Sequence, residues 1–296
     1  MRFKAGADRV NVGPLERRGG SAMAQDVSRQ WGDAGVLDRI LAALRASGID
    51  PEKLTVAALT PVDHFHARGF QATKELADLL PIRAGDHLVD IGCGVGGPAR
   101  YLAQRFGCRV DGIDITEPFV IAANRLSELT GMQDQVRVRL GDGHSLPYAD
   151  RSFDGALSQH VTMNVADRDR FFAEAFRVLR PGGFFALTEH GQGDGGPPHH
   201  PVPWSDDGAH EHLMRPEETV ERLLGAGFTE IAVTETGAQY LAAYQKVMAL
   251  AEKGDLPRLG VHILLGEAAP AKTMNAARNI AEGRTRPVQI ICRRPG

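Results

Sequence analysis

Apolar residues recur at Val36, Leu37, Ile40, Leu41 and Leu44, the spacing of a helix with one buried face, with Asp33 as its cap and Gly48 as its stop. A short helix is expected to open at Asp50-Pro51 and to end at Thr60-Pro61, and a third to run through GFQATKELADLL, residues 69–80. The rhythm then changes. HLVDIG (87–92), RVDGID (109–114), VRVRLGD (136–142), FDGALSQH (153–160) and GGFFALTEH (182–190) are short runs of β character. Helical patterns lie between most of them: PARYLAQRF, EPFVIAANRLSELTG and DRDRFFAEAFRVL. FTEIAVTET (228–236) and VQIICRR (288–294) bring the count to seven strands. Strands alternating with helices at this spacing predict an α/β fold with a Rossmann-like, doubly wound sheet.

Two segments exceed the needs of such a sheet. Residues 191–213 are rich in Gly and Pro, and 237–287 carry helical stretches near YLAAYQKVMALAEKG and AKTMNAARNIAEG. Long connections in a compact domain are usually functional, and both follow strands whose carboxyl ends are where open α/β sheets bind ligands. The expected organisation is an arm at 1–23 without fixed structure, a helical cap at 24–80, and a binding domain at 81–296 that includes the loop 191–213 and the helical insertion 237–287.

Composition narrows the function classes. A formal charge of −3 over 296 residues gives no nucleic-acid footprint. Cys93, Cys108 and Cys292 are too scattered for a disulfide framework and form no C-x-x-C. No apolar run reaches the roughly 18 residues of a membrane helix, and the basic start has no apolar core to make it a secretory signal. The expectation is a cytoplasmic protein, monomer or homodimer, with a small-molecule partner.

The chemistry concentrates in VDIGCGVGGPAR, residues 89–100. Gly92, Gly94 and Gly97 satisfy the dinucleotide fingerprint G-x-G-x-x-G, whereas Gly92, Gly94 and Gly96 follow Asp90 in an acid-x-G-x-G-x-G pattern suited to S-adenosylmethionine (SAM). The glycines serve both ligands alike, by allowing a tight strand-to-helix turn and close backbone approach. The acids discriminate. A carboxylate at position 90 would repel a pyrophosphate but suits the ammonium of SAM. Asp114, closing the second strand, should hold ribose hydroxyls under either reading. Asp142, after the third, can accept the adenine exocyclic N–H, with Gly143 and His144 on the same rim. Each acid alone also has a duller account: a helix-dipole charge, a strand-end cap, a turn-forming Asp-Gly.

With these residues in view, the chain resembles class I SAM-dependent methyltransferases with a methyltransferase type 11 domain, in particular the sarcosine/dimethylglycine methyltransferase-like group. The matching segments are DHFHARGFQAT, VDIGCGVGGPARYLAQRFGCRVDGIDIT, GDGHSLPYADRSFD, QHVTMNVADR, FRVLRPGGFFALTEH and PVPW. GGPAR is shared with sterol and tocopherol methyltransferases. The resemblance implies that the last strand runs antiparallel between the fifth and sixth. It also implies that Asp90, Gly92, Gly94 and Gly96 hold the methionine end of SAM, Asp114 and Ile115 the ribose and adenine, and Asp142, Gly143 and His144 the adenine. Gln159 would lie near the sulfonium, and RPGG (180–183) would be the turn into the fifth strand.

Methyl transfer from a sulfonium needs alignment and exclusion of water, and a base only where the acceptor loses a proton. His160, ending the fourth strand, is the candidate proton acceptor. Asn164 and Trp204 are candidate acceptor contacts, though Asn164 can instead cap the helix near Asp167, and Trp204 can anchor its loop. His64, Phe65 and His66 can close over the donor or merely enter the next helix. His199, His200, Asp206, Asp207, His210, Glu211 and His212 match no metal motif, so no metal is expected and the loop reads as a solvated, mobile lid.

The acceptor is expected to be an amine of the sarcosine or dimethylglycine type, with carbon or oxygen methylation of a secondary metabolite or isoprenoid-like compound as the alternative. A convergent Arg68 or Arg215 would favour the first, and an apolar lining from 237–287 the second. Outside this class stand a nicotinamide-dependent oxidoreductase and a non-catalytic SAM-binding protein.

Overall fold

Strands β1 (His87–Ile91), β2 (Arg109–Asp114), β3 (Val136–Leu140), β4 (Phe153–Gln159), β5 (Leu179–Gln192), β6 (Thr229–Glu235) and β7 (Thr285–Arg293) form one sheet in the order β3-β2-β1-β4-β5-β7-β6. The computed structural model describes residues 35–64, 66 and 68–296. β7 lies antiparallel between β5 and β6, and the pairs from β3 through to β5 are parallel. The expected α/β fold and its seven strands are therefore present. The central strands β1, β4 and β5 are buried at most positions because helices cover both faces, whereas the edge strands β3 and β6 are largely exposed. Leu88 and Val110 pack under Leu102 and Ala103 on one side, while Val89 and Ile91 pack with Phe171, Phe172 and Phe185 on the other.

The cap consists of α1 (Val36–Ala46), α2 (Val56–Asp63) and α3 (Gly69–Leu79). One expectation fails here. Asp50-Pro51 opens only a 3-10 turn, Pro51–Lys53, and Pro61 does not end the helix that follows. That helix starts at its own cap, the Thr55 hydroxyl accepting from Ala58 N, and runs through Pro61 to Asp63. Proline lacks the N–H that the Ala57 carbonyl would take, and the Thr60 hydroxyl donates to that carbonyl instead, at 3.0 Å. The expected arm at 1–23 and the Asp33 cap lie outside the described residues.

The sheet helices are α4 (Gly97–Phe106), α5 (Glu117–Leu129), α6 (Arg168–Val178) and α7 (Pro216–Gly225). RPGG is not a turn before β5 but a bulge within it. Phe153 pairs with Leu179 and Gly155 with Phe184, so β5 advances five positions while β4 advances two.

The insertion folds as α8 (Gly237–Glu252), the short α9 (His262–Leu265) and α10 (Ala269–Ala281). Its Leu259, Ile263 and Leu264 pack against the cap residues Val36, Ile40 and Leu44, and Arg258 donates to the Ala46 carbonyl at 2.7 Å. Cap and insertion thus meet. The loop 191–213, expected as a mobile lid, is stapled to α10: Asn275 donates to Pro201 O and Asn279 to His199 O, both at 3.0 Å. Val202, Trp204 and Ser205 within it are buried. Among the described residues no helix is long and apolar enough to cross a membrane.

Candidate active site

The glycine turn after β1 opens one half of the site. Gly92, Gly94 and Gly96 all lie in the left-handed region, with φ of 79°, 54° and 77°. At Gly92 a side chain is also excluded by contact, since a Cβ would lie 2.3 Å from Val161 Cγ2. Gly97 has a different task. A Cβ there would sit 2.1 Å from the Asp63 carbonyl oxygen, so its bareness lets the end of α2 dock on the turn. That contact is fastened by charge: Arg100 Nη2 donates to Asp63 Oδ2 at 3.1 Å and to Val95 O at 2.7 Å. Asp63 and Arg100 are fully buried. Burial opposes ionisation of Asp63, but the His64 hydrogen bond and the Arg100 charge hold its carboxyl below the usual value.

Asp90 is buried at the carboxyl end of β1, and its Oδ2 has no hydrogen-bond partner. Burial, then the charge of Asp114, push its carboxyl up to about 7. Asp114 Oδ2 accepts from Gly94 N at 2.8 Å and Oδ1 from Thr116 N at 2.9 Å, so this acid shapes the turn. Ile115 beside it is half-buried. Asp142 Oδ1 accepts from His144 N at 2.9 Å and lies 2.6 Å from His144 Nδ1. Burial resists its charge, yet the His144 contact holds the carboxyl low. Gly143 is bare because Phe171 stands 2.5 Å from where its Cβ would be, and His144 Nε2 is buried without a partner.

The second half gathers aromatic rings. His160 leaves β4 with φ of 56°, a strained conformation for a residue with a side chain, and its Nε2 lies 2.6 Å from the Tyr240 hydroxyl. His66 stacks on it at 5.1 Å, and His190 of β5 lies 5.5 Å away on a tilted ring. His190 in turn packs on Trp204 at 4.5 Å and on Tyr240 at 5.4 Å. Burial pulls all three imidazoles below their usual range, His66 and His190 to about 3, and the neighbouring imidazoles add to the effect on His160. A cavity of about 40 Å³, partly open to solvent, is lined by His66, Pro203, Tyr244, Val247, Val261, Leu265 and Thr273.

The remaining candidates divide. Gln159 ends β4, its Oε1 accepting from Thr73 Oγ1 at 3.3 Å. Asn164 spends its amide on the loop, donating to Trp204 O and His210 O at 3.0 Å each, and the helix near Asp167 is capped by Asp167 itself. Trp204 is both wall and anchor, packing with Met163 and Val202 while its Nε1 donates to Glu211. His64 turns away to Asp63, at 2.8 Å, and to Phe70; Phe65 lies outside the described residues. Arg215 pairs with Asp194 on the surface, and Arg68 pairs with Glu75. His199 pairs with Glu282 and His200 with Glu211, and among the described residues no group of His, Cys, Asp or Glu forms a metal cluster. Sequence reasoning missed His190, Tyr240 and Tyr244. For His190 the alternation along β5 was a usable signal; for the tyrosines, only their four-residue spacing on a helix.

Residues 89–187 match the family model of a methyltransferase domain. Over these residues the chain carries a methyltransferase domain. Over 128 residues it is 36% identical to methyltransferase GfsG of Streptomyces halstedii, covering 43% of this chain and 46% of that protein. Phosphoethanolamine N-methyltransferase 2 of Haemonchus contortus, solved with phosphomonomethylethanolamine and S-adenosylhomocysteine, shares the fold with a TM-score of 0.73 at 18% identity, over 94% of this chain and 61% of that one. So does a putative sarcosine dimethylglycine methyltransferase from Galdieria sulphuraria, with a TM-score of 0.64 at 20% identity, over 76% and 86%. The chain spans less than half the length of the curated relatives it matches, between 30% and 46%. Their names include both nitrogen and carbon methyltransferases.

Proposed function

We propose that this chain transfers a methyl group from SAM to the oxygen or carbon of a small molecule with an apolar body. The orphaned, buried Asp90 carboxylate supports SAM as the donor, because a cation there relieves both its missing partner and its repulsion from Asp114. On this reading Asp90, Gly92, Gly94 and Gly96 hold the methionine end, Asp114 and Ile115 the ribose, Asp142, Gly143 and His144 the adenine, and Gln159 the edge nearest the sulfonium. SAM supplies an electrophilic methyl group with its own leaving group. The chain's task is to align the acceptor atom and exclude water. As the new bond to the methyl carbon forms and the carbon–sulfur bond breaks, the acceptor's proton passes to His160 Nε2, directly or through the Tyr240 hydroxyl hydrogen-bonded to it.

The acceptor cavity carries the choice of acceptor. Its lining from the insertion, Tyr244, Val247, Val261 and Leu265, is almost wholly apolar, and the arginines that would clamp a carboxylate are already paired, Arg215 with Asp194 and Arg68 with Glu75. An amine of the sarcosine or dimethylglycine type is the second reading, favoured by the aromatic walls Trp204, Tyr240 and Tyr244, which suit a methylated ammonium. Incubation with isotope-labelled SAM and a panel of phenols, enols, prenyl compounds, sarcosine and dimethylglycine, followed by mass spectrometry of products, separates the two. Labelled product only from the amines overturns the apolar-acceptor reading. Saturable NADH binding without SAM binding overturns methyl transfer altogether.

A further inference from the structure

Polar atoms without partners gather where β4 and β5 end: Gln159 Nε2, Thr188 Oγ1, His190 Nδ1 and, from the cap, His66 Nδ1 are all buried and unpaired. The sheet explains their meeting. Gln159 pairs in register with Thr188, so their side chains share a face, and Thr188 and His190 alternate along β5 onto that same face. His66 reaches it by stacking on His160, itself in contact with His190. Buried donors and acceptors are almost always paired in folded proteins, and a group of them left open on one side of a chamber is suited to the polar atoms of a ligand. Thr188 is 6% exposed and His190 1%, so bulk water does not satisfy them.

The electrostatics limit what enters. Burial disfavours the charged forms of His66, His160 and His190, and the nearby Arg68 guanidinium pairs with Glu75 and lies 5.6 Å over the Tyr240 ring. A carboxylate or phosphate would be buried against neutral groups with no counter-charge committed to it, which is unfavourable. A carbonyl or hydroxyl oxygen loses nothing of the kind. Of these groups His66 also lines the neighbouring cavity, whose other walls include Val247, Val261 and Leu265.

We propose that Thr188 and His190, with Gln159, form a subsite for an uncharged oxygen adjacent to the atom that is methylated, so that the acceptor is a neutral hydroxylated ring or enol bearing a vicinal carbonyl or hydroxyl. This rests on methyl transfer into the chamber as read above, and it assigns β5 residues to acceptor recognition rather than to the donor.

The test has two arms, neither of which needs turnover. In the first, melting temperatures are compared for Thr188→Val, His190→Phe and Thr219→Val. Thr219 is the reference because its hydroxyl is fully used, donating to Glu189 at 2.8 Å and accepting from Arg168 at 3.0 Å. Removing an unpaired hydroxyl should leave Thr188→Val as stable as the parent or more so, whereas Thr219→Val melts lower. His190→Phe keeps a ring against Trp204 and should also melt near the parent. In the second arm, calorimetry with saturating S-adenosylhomocysteine measures 2,3-dihydroxynaphthalene against 2-naphthol. The parent should prefer the diol by about 10- to 100-fold, and Thr188→Val and His190→Phe should hold the two probes within a few-fold of each other. A parent that binds both alike, or neither, overturns the subsite, as does a Thr188→Val variant that melts as low as Thr219→Val. Failure of the methyl-transfer reading shows differently, as intact probe preference with no methylated product from any acceptor.

Discussion

Asp90→Asn is the most informative single change, because the ligand-free protein and the SAM complex should respond in opposite directions. The carboxyl is buried, lacks a partner on Oδ2, and is lifted from 3.8 to about 7 by burial and by Asp114. An acid whose folded value is raised binds its proton more tightly in the folded state. Its contribution is therefore neutral below pH 3.8, becomes progressively destabilising as pH rises through the interval, and levels off above about 7. At about 1.4 kcal/mol for each tenfold change in acidity, the full cost is roughly 4 kcal/mol. Asparagine keeps the shape and cannot ionise. The variant should thus match the parent near pH 4 and exceed its stability by up to about 4 kcal/mol at pH 8, read as the difference between two melting curves across pH.

SAM should reverse the order. An ammonium against the Asp90 carboxylate is a buried charge pair, and removing one partner of such a pair costs about 2–5 kcal/mol, or roughly 30- to 5,000-fold in affinity. Calorimetry at pH 8 should therefore show SAM binding sharply weakened in the more stable variant. Parallel melting curves from pH 4 to pH 8 would refute the account of Asp90 in the free protein. Unchanged SAM affinity would refute its role as the ammonium site.

Other residues carry further tests. Asp114→Ala removes a carboxylate that also accepts the Gly94 and Thr116 amides, and should weaken SAM binding by roughly 10- to 150-fold; unchanged affinity in calorimetry would mean that the ribose is held elsewhere. Gly97→Ala places a methyl group 2.1 Å from the Asp63 carbonyl oxygen and should cost about 1–3 kcal/mol in chemical denaturation, with a melting curve indistinguishable from the parent as the contrary result. His160→Asn should lower kcat by about 10²- to 10⁴-fold with the SAM KM unchanged, and an undiminished kcat would show that the acceptor surrenders no proton at this histidine.

What the sequence makes legible in this fold is what local chemistry decides. The central strands read correctly because both of their faces are buried, the edge strand β3 because its residues alternate, and Asp90, the glycines and Asp114 occupy one continuous βαβ unit. Pro61 misled because its local preference to end a helix is outweighed by the Thr60 hydroxyl and by the packing of Leu59 and Val62. The loop 191–213 misled for a different reason. Its polarity suggested solvation and mobility, but the partners that hold it, Asn275 and Asn279, lie on a helix more than sixty residues downstream. Asn164 likewise offers no local sign that its amide serves the carbonyls of Trp204 and His210.

The two patterns in VDIGCGVGGPAR are both real, and the structure separates their purposes. Gly92, Gly94 and Gly96 adopt the left-handed turn, whereas Gly97 receives the carbonyl of Asp63. Asp63 is joined by its carboxylate to Arg100, and Arg100 holds the Val95 carbonyl inside the turn. Three residues beyond Asp63, His66 lies on the ring of His160. One short piece of the cap therefore touches the backbone expected to carry the donor and the imidazole expected to receive the proton. The cavity proposed for the acceptor has no motif of its own because its walls, His66 of the cap, Pro203 of the loop and Tyr244, Val247, Val261, Leu265 and Thr273 of the insertion, meet only in the folded chain. The glycine at 97 is where that piece of the cap is attached to the turn after β1.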